Sequence, residues 1–137
     1  MKSRFSLPAA AFAMAFSLAA GAATLPSPQT LDGITYLTGG IGREEAGAMR
    51  AEAKSYPLSL VFSAGPRRAF VSDVKVTIKD KSGKVVLDSA SGGPIMLVKL
   101  PAGQYTVSAV QGSVALHRSV QVSAHGGKQL SLYWPKA

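Results

Sequence analysis

The sequence predicts an all-β fold: an antiparallel β-sandwich of about seven short strands, with one short helix near its front. Three observations carry this. From Pro57 onward, apolar and polar residues alternate with a period of two. Clusters of Gly, Pro, Asp and Ser interrupt the alternation about every ten residues. Long helical patterns between the strands, which a parallel α/β sheet requires, are absent.

The opening stretch, residues 1–22, has a different character. Lys2 and Arg4 precede an apolar run from Leu7 to Ala20, and small residues follow. That order is a secretory signal peptide, with Ala20-Gly21-Ala22 as the A-x-A site and the cut after Ala22; Ala23 is the alternative. A membrane anchor is the competing reading, but the run is short and alanine-rich for a span of about 20 residues. Residues 23–35 carry two prolines and polar side chains and read as an extended leader, with a short strand starting at Ile34.

Residues 36–56 hold a glycine loop and the expected helix. Gly39-Gly40-Ile41-Gly42 runs into "REEAGAMRAEAKS", where Ala46, Met49, Ala53 and Tyr56 form one apolar stripe. Glu44 and Glu45 in the first turn and Lys54 in the last complement the helix dipole. The stripe is mostly alanine, so this helix is expected to lie against a sheet. The sandwich occupies residues 57–137, and residues 36–137 read as one globular unit.

The strands follow in order. "LSLVFSA" alternates from Leu58, and "GPRRA" makes a tight connection. In "DVKVTIKD", Val74, Val76 and Ile78 face one way and Lys75, Thr77 and Lys79 the other. "DKSG" is a turn, with Asp80 bonding nearby backbone and Gly83 free to take a positive φ. "KVVLDS" returns, and "SGGP" breaks the chain. "IMLVKL" is apolar on both faces apart from Lys99, which predicts a central strand. "QYTVSAV", "VALHRSVQV" and "LSLYW" complete the set.

The segment "VKVTIKDKSGKVVLDSASGGPIMLVKLPAGQYTVSA" combines a strand, a D-x-x-G turn, a return strand and an L-P-x-G-x-Y-x-V stretch (Leu100 to Val107). In this it resembles the prealbumin-like sandwich of carboxypeptidase regulatory-like domains and the B-type repeats of bacterial surface adhesins. The ending "VQVSAHGGKQLSLYW" is similar to that family's last hairpin. One departure stands out: Ser91-Gly92-Gly93-Pro94 replaces the family's acidic-residue-and-glycine turn. The resemblance implies a Greek-key sandwich acting as an accessory module without catalytic residues. The front part is similar to small secreted bacterial proteins of unassigned role, which implies a Gram-negative periplasm. It says little about the task itself.

Charge and composition limit the functions. The formal charge is +8, and loss of Lys2 and Arg4 with the signal peptide leaves +6. A basic exported domain is drawn to anionic polymers and lipid surfaces; in that compartment nucleic acid is not the expected partner. With no cysteine, thiol chemistry, thiolate metal sites and an N-terminal lipidated cysteine are excluded. After cleavage no second long apolar run remains to span a membrane.

No catalytic pattern stands out. The glycine loop lacks G-K-[ST], and Glu45 stands where a dinucleotide fingerprint needs its third glycine. Glu44 and Glu45 would repel a phosphate, so the loop reads as a sharp reversal into the helix. His117 and His125 are the only histidines, and no spacing joins them to Asp73, Asp80 or Asp88 as a metal site. There is no G-x-S-x-G elbow. No cofactor is expected. Arg67, Arg68, Lys75, Lys79, Lys81 and Lys84 are the candidate anion-binding residues; the competing reading is that lysines protect exposed strands from aggregation. Arg118, on an otherwise apolar strand face, is expected to pair with Asp73 or Asp88 or to reach solvent at a sheet edge. Two functions follow as expectations. One is an envelope module that binds another, unknown protein. The other is an electrostatic binder of anionic envelope polymer or lipid.

Overall fold

The computed structural model describes residues 25–136. The expected signal peptide, its cut after Ala22 and the first residues of the expected leader lie outside them. In chain order the elements are β1 (Gln29–Leu31), β2 (Ile34–Gly39), α1 (Arg43–Glu52) with a 3-10 turn Ala53–Ser55, β3 (Leu58–Ala64) and β4 (Ala69–Phe70). They continue with β5 (Lys75–Asp80), β6 (Val85–Ala90), β7 (Ile95–Lys99), β8 (Gly103–Gln111), β9 (Val114–Val122) and β10 (Lys128–Trp134). One sheet has the order β1-β2-β7-β3-β10, with β4 on the end of β3; the other has the order β6-β5-β8-β9.

The two sheets share one core, in the manner of a sandwich. Leu58, Leu60 and Phe62 of β3, Met96 and Val98 of β7, and Leu132 and Trp134 of β10 come from the first sheet. Val76 and Ile78 of β5, Val107 and Ala109 of β8, and Val120 and Val122 of β9 come from the second. These are alternate residues, so the period of two in the sequence is the inward face of each strand. A second cluster lies on the outer face of the first sheet, where Ala46, Met49 and Tyr56 cover Leu37, Ile95 and Leu97. The helix therefore docks through the stripe its sequence predicts. Strand β7 is buried on both faces, between β2 and β3, as "IMLVKL" predicts. Full burial of a side chain such as Met49 or Leu97 contributes about 1.5–3 kcal/mol.

Two features depart from the sequence reading. The expected leader contains a hairpin: β1 pairs with β2 across Asp32 and Gly33, whose φ values are 49° and 84°. Two consecutive positive φ values belong to a type I′ turn, which Asp-Gly favours. The expected sandwich is antiparallel, yet β10 pairs with β3 in parallel from Lys128↔Leu58 to Trp134↔Ala64. Short turns fix the relative direction of consecutive strands only; β3 and β10 are joined by a path through the other sheet, which leaves their direction open. Strands β1 and β4, of three and two residues, take the number above that expected.

The turns form as the sequence implies. Asp80 Oδ1 accepts hydrogen bonds from Ser82 N (2.9 Å), Ser82 Oγ (2.7 Å) and Lys84 N (3.0 Å), and Gly83 has φ 90°. The Ser82 hydroxyl, then the Lys84 amide, hold the Asp80 carboxyl below its ordinary pKa. A carboxylate with a depressed folded pKa contributes stability above its unfolded pKa and loses it as pH falls through the folded one. Asp80→Ala is therefore expected to destabilise at neutral pH. The gap from wild type should close on acidification past 3.8 and on through the lowered folded value, as read from urea melts across pH. A gap that is constant with pH would rule out the ionised carboxylate as the cause.

Tyr105 packs its ring in the core while its hydroxyl donates to Pro101 O at 2.7 Å. The Ser91–Pro94 turn is bound into the fold as well. Ser91 is buried, its Oγ accepts from Val74 N (3.0 Å), and Gly92 N donates to Thr38 Oγ1 (2.8 Å). Two hydroxyls, those of Ser91 and Thr38, thus each satisfy one backbone N–H at this turn.

Candidate functional site

The glycine loop already holds an anion, and it is the protein's own. Gly40 and Gly42 take φ values of 96° and 88°, which turn the chain into α1. Gly40 N and Ile41 N both donate to Glu45 Oε1, at 2.8 and 3.2 Å. The N–H groups that a phosphate would need are occupied by a carboxylate from the first turn of the helix.

The six basic candidates do not form one face. Lys75 and Lys79 are exposed on the outer side of β5, and Lys81 and Lys84 lie in the turn beyond it. Arg67 and Arg68 lie in the turn after β3, on the other sheet. The Arg68 guanidinium is 4.0 Å from the centre of the Tyr133 ring, on the outer face of that sheet, because Leu132 and Trp134 point inward. The arginines are also at the opposite end. Trp134 Nε1 donates to Val114 O by the β8–β9 turn, next to the Lys75 end of β5, whereas Lys81 and Lys84 follow its Asp80 end. What remains together is Lys79, Lys81 and Lys84 at the Asp80 end, with Lys75 at the other end of the same strand face; Asp88 lies on that face too, accepting from Thr77 Oγ1 at 3.3 Å.

His117 lies on the outer face of β9 with its Nδ1 2.8 Å from Ser108 Oγ, an open position on a flat sheet. Among the described residues no three His, Asp or Glu side chains converge, and no helix is long and apolar enough to cross a membrane.

The sheet edges differ more than the faces. Among the described residues β1, β10, β6 and β9 end the two sheets, and the two-residue β4 is a short edge on β3. Natural edges are blunted by shortness, bulges, charges or proline. β1 has three residues. β6 is bulged at Val86, left over between Ile78↔Leu87 and Lys79↔Val85. β9 carries Arg118 on its inward face, exposed at the rim, with the guanidinium donating to His117 O at 2.9 Å. Arg118 thus reaches solvent at a sheet edge, the second of its two expected placements. β10 is the least protected: its one charge, Lys128, stands at its first residue, and from Gln129 to Trp134 it carries no charge, no proline and no register shift.

The ladder shows which groups of β10 are free. Lys128 N donates to Pro57 O (2.9 Å), and Gly65 N donates to Trp134 O (2.8 Å). In a parallel ladder alternate residues turn both backbone groups to the same neighbour. Lys128, Leu130, Leu132 and Trp134 therefore face β3, and Gln129, Ser131 and Tyr133 present N–H and C=O at the edge, which no strand covers among the described residues.

Beside this edge lies a depression of about 370 Å³ on the outer face of the sheet. It is lined by Arg50, Ala53 and Lys54 from the end of the helix, Ser59 of β3, and Gly127 and Gln129 at the start of β10. A second, smaller depression shares Lys54 and Gly127 and reaches His125. No acidic side chain lines either one. Ser59 is 7 % exposed, and its hydroxyl makes no hydrogen bond among the described residues. The sequence reading missed this group, whose members come from three distant segments.

Comparison with known proteins gives no matching family model and no curated relative. The edge and its depression are therefore interpreted from their own chemistry.

Proposed function

We propose that this chain is an exported, non-enzymatic envelope module that binds another protein by strand addition to β10. In this reading the sandwich is of the carboxypeptidase regulatory-like, prealbumin-like Greek-key type, and the first 22 residues direct the chain to the periplasm. The D-x-x-G turn and the L-P-x-G-x-Y-x-V stretch support the family, with Asp80, Gly83 and Tyr105 in the roles those motifs require. The observation that carries the function is the unblunted edge of β10, with three residues offering free backbone groups.

Ser131→Pro tests it. The Ser131 N–H faces solvent, so proline breaks no ladder bond while removing the central donor of the edge. The variant is expected to melt like wild type. It should lose the protein that tagged wild type retains from an envelope extract through a wash at about 0.5 M salt, where the Debye length is only about 4 Å. Undiminished capture by the folded variant would rule out β10 as the docking edge.

A second reading has one observation in its favour: Lys75, Lys79, Lys81 and Lys84 all lie along the outer side of β5 and the turn beyond it, three of them at the Asp80 end. That group suits an anionic polymer or lipid surface. Such binding is expected to vanish in the high-salt wash and to be indifferent to Ser131→Pro.

A further inference from the structure

The cations that flank β10 have a spacing, and the spacing describes the partner. On the outer face of the sheet, the strand's side chains are Gln129 and Ser131, both exposed, and Tyr133, half-buried. Arg50 and Lys54 stand beside Gln129 across the depression, and Arg68 lies over the Tyr133 ring. The span from Gln129 to Tyr133 is four residues of extended chain, or about 13 Å. A positive group is thus present at each end of the free edge, on one face, and the depression at the first end is free of acids.

We propose that the segment added to β10 is an acidic one, with carboxylates four residues apart on the face it shares with Tyr133. This rests on β10 being the docking edge. An even spacing is required because side chains alternate across a strand; two acids four apart lie on one face, and two acids three apart lie on opposite faces. One carboxylate enters the depression beside Gln129, where Arg50 and Lys54 supply charge. The buried Ser59 hydroxyl supplies a donor that has no other partner among the described residues. The second meets Arg68, whose guanidinium carbon lies 4.0 Å from the centre of the Tyr133 ring. The residue between them faces Ser131, so a small or polar side chain fits there. Either strand direction satisfies the spacing, because it is the same read forwards or backwards.

The test uses the full chain, produced with its own leader, 15N-labelled and purified. The probes are three extended nonapeptides of equal composition apart from charge: one with glutamates four apart, an isomer with the glutamates three apart, and a lysine version of the first. The readout is the response of the Gln129, Ser131 and Tyr133 amides together with the dissociation constant. At about 50 mM salt the four-apart peptide is expected to bind at least ten times more tightly than either control, and the advantage to shrink at about 0.5 M. The Arg50→Gln, Lys54→Gln double variant is expected to lose most of that tenfold, whereas Ser131→Pro is expected to lose the amide response altogether. Equal binding of the isomer or the lysine peptide at β10 would overturn the acidic spacing and leave β10 as the edge. No β10 response to the four-apart peptide up to about 1 mM, a weak-binding limit, would overturn it as well. Failure of the β10 reading itself appears separately, as undiminished envelope capture by Ser131→Pro.

Discussion

Gly93→Ala is expected to destabilise the protein by about 3 kcal/mol or more, at the upper end for overpacking, because the added carbon meets backbone. A β-carbon at Gly93 would overlap the carbonyl of Gly39. Gly39 has no room to retreat: its own missing β-carbon faces Pro26 Cγ at 2.7 Å and Glu45 Oε1 at 2.8 Å. Its strand is pinned to β7 through Gly39↔Ile95. Gly93 and Gly39 thus meet in a contact where the two backbones approach closer than a side chain at Gly93 permits. Gly47 is the matched control. It lies exposed in α1 with nothing within 4 Å of its missing β-carbon, so Gly47→Ala is expected to stabilise by up to about 1 kcal/mol. Urea denaturation of both variants decides the matter. A Gly93→Ala protein as stable as wild type would show that β2 and β7 separate easily, against the described packing.

Trp134→Ala is expected to cost about 4 kcal/mol, within the range for removing a large buried aromatic. The indole is 1 % exposed and tilts against Phe62, with ring centres 6.4 Å apart. It also crosses between the sheets, because its Nε1 donates to Val114 O at 3.0 Å. Trp134→Phe separates the two contributions. It keeps much of the apolar contact and leaves the Val114 carbonyl without its donor, for an expected loss of about 1–3 kcal/mol. Chemical denaturation of the pair measures both; a phenylalanine variant as unstable as the alanine one would place the whole effect in the hydrogen bond. The alanine variant is also expected to weaken binding at β10, since Trp134 anchors the end of that strand.

Much of this fold was legible because its signals are local. The four residues Asp80 to Gly83 announce a turn by their own chemistry, and the structure forms it with three hydrogen bonds to one carboxylate oxygen. Ile95 to Val98 are apolar without alternation, which only a strand covered on both faces tolerates, and β7 has the helix on one side and the second sheet on the other. The stripe Ala46, Met49, Ala53, Tyr56 located the docked face of α1. The Asp32-Gly33 hairpin was equally local, but the prolines before it and its three-residue first strand masked the signal. The Ala69–Phe70 strand is too short to carry a pattern at all.

The site is a different matter. Arg67 and Arg68 lie close to the lysines in sequence, yet the chain changes sheets between Arg68 and Lys75, so proximity along the chain misled. The depression joins the end of a helix, the second residue of β3 and the start of β10, and no spacing rule connects those segments. Its polar floor, Ser59, appears in the sequence as one serine in an alternating strand; its lack of a partner is a property of the packed fold alone. The bareness of the β10 edge was visible in "QLSLYW", but that β10 would be an edge was not, because strand order is set by the whole topology.

The parallel pairing of β10 with β3 also sets when that edge comes into being. Lys128 meets Leu58 across 70 residues of chain, the longest reach in the first sheet, where β7 meets β2 across 56 to 64 and β3 across 34 to 40. Contacts of such high sequence separation incur the loop-closure entropy of everything between them and form late. On that ground β10 is expected to take its register late, after β3 and the core it packs on have formed. A partially folded chain therefore has no such edge to offer. If β10 is the docking edge, as proposed above, recognition there would double as a check on completed folding: a partner pairing with it would count only molecules whose last strand has been laid down.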